Sequence, residues 1–319
     1  MNNLKKIGLT ALAGTLAATT AHAGELSVSG TANIVYQTHG EGSSTANPFS
    51  QNQTLSFTGS GDLDNGMSVS YSSSFTGAAF TAGSVVLDMG DGGTIGLYNA
   101  ASDGGGISAY QDVIPTAGEQ VWDDTGVASH GTSANGLVDM DAENNLAYNN
   151  TFGDITFSAA WARSAMGAEG SVVVAYDNLI DGMRIGYGVG EKQEAANTTV
   201  TTDLETLFVT YATGPVTLGV QRSEVTPAVA TGAAAATSKK TRDHVGASFA
   251  VNENLSVSYG ISDVDFESSS LSDEESSGIS ASYTMGGMTV GAIANKTDSV
   301  AGISGVDYTY TEFSVSFAF

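Results

Sequence analysis

Asp307 to Phe319 reads DYTYTEFSVSFAF, and this stretch decides the fold. Phe313, Val315, Phe317 and Phe319 share one parity, while Glu312, Ser314, Ser316 and Ala318 share the other. A period of two belongs to a strand with one apolar and one polar face. In water, an apolar strand ending on a bare Phe invites edge-to-edge aggregation. In a barrel within lipid, the same strand closes the ring against the first strand and its Phe sits at the membrane interface.

The same alternation recurs outward from this end. In GELSVSGTANIVYQ, from Gly24, the residues Leu26, Val28, Ala32, Ile34 and Tyr36 oppose Ser27, Ser29, Thr31 and Asn33. Met67, Val69, Tyr71 and Phe75 oppose a run of serines, and Ile155, Phe157, Ala159 and Trp161 oppose Thr156 and Ser158. Met183, Ile185, Tyr187 and Val189 oppose Arg184, Gly186 and Gly188; Leu255, Val257, Tyr259 and Ile261 oppose Ser256, Ser258 and Gly260. Tight-turn signals stand at 64–66, 91–93, 153–154, 181–182, 214–215, 252–254 and 286–287. Longer polar links fall near 40–50, 77–83, 101–143, 164–170, 192–201, 225–239, 266–274 and 298–304. Seven turns alternating strictly with eight links predict sixteen strands in an all-β, antiparallel up-and-down barrel.

The polar parity is Ser, Thr, Gly and Asn, too small for the charged coat of a soluble barrel. Sixteen strands also enclose too wide a space for side chains to fill. The polar faces therefore fit a watery lumen and the apolar faces fit lipid, with every backbone group satisfied by closure. Composition agrees. The 319 residues carry 34 acids against 10 bases, a net charge of −24, which excludes phosphate-backbone binding. There is no Cys, so disulfides, thiol catalysis and Cys-based zinc are excluded. No apolar run reaches the ~18 residues of a membrane helix.

The first 23 residues read as an address. Lys5 and Lys6 precede the apolar stretch IGLTALAGTLAATT, and Ala21-His22-Ala23 supplies a small-x-small cleavage site. These are the three parts of a secretory signal peptide. Residues 24–319 then form one exported barrel domain.

No catalytic motif is present: neither a GxSxG elbow, a P-loop nor HExxH occurs, and the histidines are scattered. The chain reads as a non-enzyme. Gly186–Gly190, GYGVG, lies in a strand pattern, and its glycines read as small lumen-facing residues rather than a dinucleotide loop. The informative segment is 101–143. Its acids are Asp103, Asp112, Glu119, Asp123, Asp124, Asp139, Asp141 and Glu143, and it holds no Lys or Arg. Loops of this length are functional or disordered; the bland alternative is a solvated outer loop.

Parity places Arg184, Lys240, Arg242 and His244 on the lumen face, a basic wall for the acidic loop. Lys239 divides between that wall and a rim contacting lipid phosphates, and Arg163, Lys192, Arg222 and Lys296 lie at strand ends where parity is weak. Asp139, Asp141 and Glu143 alternate as hard-cation ligands do, although Asn144 stands where a calcium loop needs Gly. Both a specific Ca²⁺ site and nonspecific divalent screening of the outer loops follow from that pattern.

Signal peptide, opening GELSVSG, sixteen alternating strands, one long third outer loop and the terminal SFAF together resemble a Gram-negative general porin, in style the alphaproteobacterial (Rhodobacter-type) porins. The resemblance covers residues 24–319. It implies a homotrimer surrounded by outer-membrane lipid and lipopolysaccharide, with passive diffusion of ions and small hydrophilic solutes. It implies that the third outer loop folds inward and narrows the channel. It also implies that Phe319, with Phe317, is read by the barrel-assembly machinery. With acids at a narrow point, where low-dielectric walls focus the field, the expected preference is for cations. The alternative of another class is a structural or adhesin-type barrel with a plugged lumen.

Overall fold

The computed structural model describes residues 26–40, 47–100, 104–122, 137–140, 144–163, 167–193, 200–227 and 238–319. Within them the chain forms sixteen strands. These are β1 (Ser27–Gly40), β2 (Phe49–Asp62), β3 (Ser68–Thr76), β4 (Ala79–Asp88), β5 (Thr94–Ala100) and β6 (Asn144–Phe152). Next come β7 (Ile155–Arg163), β8 (Ala168–Asp177), β9 (Met183–Gln193), β10 (Thr201–Thr213) and β11 (Val216–Pro227). The last five are β12 (Lys240–Ala250), β13 (Leu255–Phe266), β14 (Glu274–Met285), β15 (Met288–Asp298) and β16 (Tyr308–Ala318).

Every strand pairs antiparallel with its sequence neighbours, and β16 pairs with β1 to close the barrel. Beyond the ladder, Phe319 and Gly30 exchange two backbone hydrogen bonds at the seam, N–H to carbonyl at 2.9 and 3.1 Å. No strand edge is left open, which lipid requires of a spanning sheet.

The two faces separate as the sequence alternation requires. Phe313, Tyr259, Ile279, Trp161 and Leu55 point outward and are exposed on the isolated chain. An apolar surface of that extent is a lipid-facing band rather than a water-facing one. On the inner side of β1–β4, small hydroxyls pair across strands: Ser56 with Ser74 at 2.9 Å, Ser72 with Ser84 at 2.8 Å and Thr54 with Thr76 at 3.1 Å.

The seven tight turns stand where their Gly, Asn and Asp residues predict. Gly66, Gly153, Gly182, Gly214 and Gly286 all take positive φ there. One connection differs. The expected long link at 77–83 is a two-residue turn, Gly77-Ala78, and β4 already begins at Ala79. Phe80 pairs with Phe75 beside a register shift at Ser74/Phe75. The small polar residues after Thr76 belong to a lumen-facing strand rather than to a loop, so short and long connections do not alternate strictly. The leader, residues 1–23, lies outside the described residues.

The outward face also carries charge. Across β11–β15 the register lines up Arg222, Asp243, Asp263, Glu275 and Asp298 in one row. One step further along the strands stand Val220, Val245, Ile261 and Ser277. On the lipid face an Arg or Lys costs about 2–4 kcal/mol at the midplane, an Asp or Glu less, and either little at the interface. The row therefore marks one boundary of the lipid-facing band.

Candidate functional site

The third connection on the outer rim, between β5 and β6, is described at 104–122 and 137–140. Irregular backbone has no ladder to satisfy it, so its N–H and C=O groups need other partners. The inner wall supplies them. Ser158 Oγ accepts from Gly106 N at 2.8 Å, and Ser171 Oγ accepts from Ile107 N at 3.0 Å. Gln221 serves twice: its Nε2 donates to Tyr110 O at 2.7 Å, and its Oε1 accepts from Val113 N at 3.1 Å. Ser258 Oγ accepts from Ala117 N at 2.9 Å, and Asn295 Nδ2 donates to Gln120 O at 3.0 Å. With Asn149 donating to Gly104 O at 2.8 Å, this segment is tied to strands from β6 round to β15. At about 1 kcal/mol net for each such bond, the attachment is distributed rather than local.

Apolar packing accompanies the hydrogen bonds. Ile107, Val138 and Met140 of the loop are buried against Ala160, Val173, Leu204 and Phe208 of the wall. Tyr110 stacks on Phe208, ring centroids 5.6 Å apart and nearly parallel. Parity alone did not single out this cluster, because Leu204 and Phe208 share a strand with outward Leu207 and Val209. The signal was the pair Asp203 and Glu205, which mark the other parity of β10 as the charged outer face.

The expected basic residues lie on the lumen face, where Arg184, Arg242 and His244 meet aromatic rings of the loop. Arg184 pairs with Asp177, Nε to Oδ1 at 3.2 Å, and its guanidinium stands 5.5 Å from the Tyr110 ring. Arg242 is 2% exposed and lies 3.9 Å from the Trp122 ring centroid. His244, 1% exposed, meets the same ring edge-on at 4.3 Å. Lys240 is buried beside them. Lys192 also belongs to the inner side, donating to Asp139 O at 3.1 Å. Arg222 and Lys296 face outward, where they pair with Asp243 and Asp298. Lys239 joins the outer side as well: its Nζ meets Glu224 Oε1 at 2.8 Å, and that hydrogen bond holds its pKa above the usual lysine value.

Of the acids, Asp112 and Glu119 are on the described loop and reach solvent. Asp112 also lies close to wall and loop atoms, and the resulting desolvation raises its carboxyl pKa, opposed by a backbone hydrogen bond and by the charge of Arg242. Asp103, Asp123, Asp124, Asp141 and Glu143 lie outside the described residues, so the Asp139-Asp141-Glu143 triad is represented by Asp139 alone. Among the described residues no group of three His, Asp or Glu side chains is placed to hold a metal ion.

Residues 8–298 match the family model of Gram-negative porins. The chain is a Gram-negative porin. Porins of this family are outer-membrane channels rather than enzymes, and the barrel described above is their fold. Among solved structures it resembles the anion-selective porin from Comamonas acidovorans, at 17% identity and TM-score 0.64, over 92% of this chain and 99% of that one. It also resembles a porin refined at 1.8 Å, at 18% identity and TM-score 0.66, over 92% of this chain and 100% of that one. A variant of the Rh. blastica porin matches at 13% identity and TM-score 0.64, over 92% and 100% of the two chains. No curated protein sequence matches the chain.

Proposed function

We propose that this porin is a general diffusion channel for ions and small hydrophilic solutes, that its third outer loop forms the constriction, and that it prefers cations. The observation that carries the reading is the loop itself: it follows the inner wall from β6 to β15 and offers Asp112 and Glu119 to solvent, while Arg242 and His244 are buried against its Trp122. Negative charge on a narrow, low-dielectric passage concentrates cations. The fold carries either sign, since the Comamonas porin is anion-selective; the sign here rests on this chain's own charges. The protein is exported by its leader, cleaved after Ala23. It assembles as a homotrimer of the alphaproteobacterial type among lipid and lipopolysaccharide, through recognition of Phe319 by the assembly machinery. Divalent cations screen its acidic outer loops.

The second reading, a plugged structural or adhesin-type barrel, draws on the buried cluster of Ile107, Val138, Leu204 and Phe208 inside the barrel. Planar-bilayer recordings separate the two. The expected result is stepwise conductance with a zero-current potential of cationic sign across a KCl gradient. The double variant Asp112→Asn/Glu119→Gln should lower that potential, and the outer-face variant Asp273→Asn should not. A wild type without conductance overturns the channel; an anion-selective wild type, or equal effects of the two variants, overturns the loop as filter.

A further inference from the structure

The register of β11–β14 places Gly219, Gly246, Gly260 and Gly278 side by side in one row on the inner wall. The loop lies directly on the first three. A Cβ on Gly219 would stand 2.5 Å from Pro115 Cδ, one on Gly246 2.5 Å from Ile114 Cγ2, and one on Gly260 2.9 Å from Val121 Cγ1. Real side-chain carbons do not approach so closely, so this trough accepts the loop only because three adjacent strands carry no side chain there. Gly188 and Gly190 of the GYGVG run lie beneath Ile107, whose Cγ atoms would be in ordinary contact with added Cβ atoms, at 3.5 and 3.4 Å.

At the far end of the trough stands Trp122, 4% exposed, with the Arg242 guanidinium 3.9 Å from its ring centroid and His244 against its edge. A guanidinium over an indole face is the strongest of the common cation–aromatic pairings, and desolvation strengthens it further. Arg242 is thus placed between the barrel wall and the loop, out of contact with water. The other side of the barrel is different. After Lys6, every Lys and Arg of the chain lies between Arg163 and Lys296, so β1–β6 and β16 carry none. Their inner faces present Thr31, Asn52, Thr58 and Ser70 to solvent, with Asp62 and Asp88 as the only charges on β1–β5.

We propose that the glycine trough and the Trp122–Arg242 stack clamp the third loop flat on the β11–β13 wall, that Arg242 is a positioning residue rather than a filter charge, and that the solute path runs along the base-free wall of β1–β4. The path part rests on the channel reading above; the clamp does not. On this geometry the acids of the loop face a base-free hydroxyl wall, with no row of bases across the passage from them. Cations then cross without an opposing positive wall.

Variants in a Trp161→Phe background, where Trp122 is the single tryptophan, test this. Arg242→Lys keeps the charge and loses the planar stacking face. Gly246→Val keeps every charge and fills the trough. Ser70→Lys adds a base to the opposite wall. Folding of each is checked by the shift in gel mobility between heated and unheated samples. In Arg242→Lys and Gly246→Val, acrylamide should quench Trp122 more strongly and spontaneous closures of the channel should become more frequent, on the order of tenfold for loss of one desolvated cation–aromatic contact. Ser70→Lys should lower the cation-to-anion permeability ratio and leave quenching and closures as in the wild type.

The clamp is overturned if Arg242→Lys matches the wild type in quenching while Arg242→Gln raises the cation preference with Trp122 still shielded, because the charge would then act in the pore. The path is overturned if Ser70→Lys leaves the permeability ratio unchanged. A wild type that passes no current overturns the channel reading and with it the path, while Trp122 quenching still decides the clamp.

Discussion

The seam between β16 and β1 is the point where one residue bears most on the whole barrel. Phe319 exchanges two backbone hydrogen bonds with Gly30, and its side chain stands 81% exposed on the outer face, where lipid meets it. Two changes separate these contributions. Phe319→Ala keeps both hydrogen bonds and removes an apolar side chain worth about 1.5–3 kcal/mol in an apolar surrounding. Deleting Phe319 removes the side chain and both bonds. It leaves the Gly30 N–H and C=O unpaired at the membrane edge, a further loss of about 2 kcal/mol at the net value of an ordinary hydrogen bond. The unpaired groups cost more if they are held away from water. The deletion should therefore lie about 2 kcal/mol below Phe319→Ala, roughly a thirtyfold difference in the folded-to-unfolded ratio. Urea titration of protein refolded into lipid vesicles, followed by gel mobility of unheated samples, measures both. Coincident midpoints for the two variants would refute the role of the seam bonds. A Phe319→Ala midpoint equal to that of the wild type would refute the lipid-facing side chain.

Two further expectations follow from the charges. Desolvation raises the Asp112 carboxyl pKa, so the folded loop binds this proton more tightly than a free Asp would. As pH falls, cation preference should decline before the ordinary carboxylate range is reached, and Asp112→Asn should remove that early part of the decline in zero-current potential. On the outer face, Asp263 stands directly opposite both Asp243 and Glu275. Like charges so placed repel, and Asp263→Asn should raise the urea midpoint in EDTA by the equivalent of about 0.5–1 kcal/mol, a gain that shrinks with added salt or Mg²⁺; an unchanged or lowered midpoint in EDTA counts against the repulsion.

The strands were legible because a barrel between water and lipid writes its two faces into alternate residues. Met183, Ile185, Tyr187 and Val189 point outward, and Arg184, Gly186 and Gly188 point inward, as parity alone predicts. The same feature explains the miss at 77–83. A lumen wall made of Ser, Thr and Gly has the composition of a loop, so Thr81 and Gly83 read as a link although they belong to β4. Composition separates strand from loop only where the strand has a packed protein face. Strand ends were ambiguous for a related reason: near the rim both faces meet water and polar groups, so Lys192 turns inward while Arg222 turns out.

The loop's acids and the wall's bases could be read as residues; how they meet could not. The seat of the loop is built from absences, Gly219, Gly246 and Gly260, which lie far apart in the chain and come together only through the pairing of β11, β12 and β13. Parity puts Arg242 and His244 on the inner face, and the natural inference from a basic strand and an acidic loop is two opposed charged surfaces across a gap. Contact with Trp122 changes that relation, because a charge beneath a loop and a charge across a channel have the same parity and different electrostatics. The first acts over a few ångströms on the aromatic ring that covers it. The second acts on passing ions, within a Debye length of about 8 Å at physiological salt. Which of the two a lumen-facing base becomes is decided by whether the wall around it holds the loop away, and in this barrel the register brings Gly219 and Gly260 to either side of Gly246, four residues along β12 from Arg242, so the loop comes down onto the wall there.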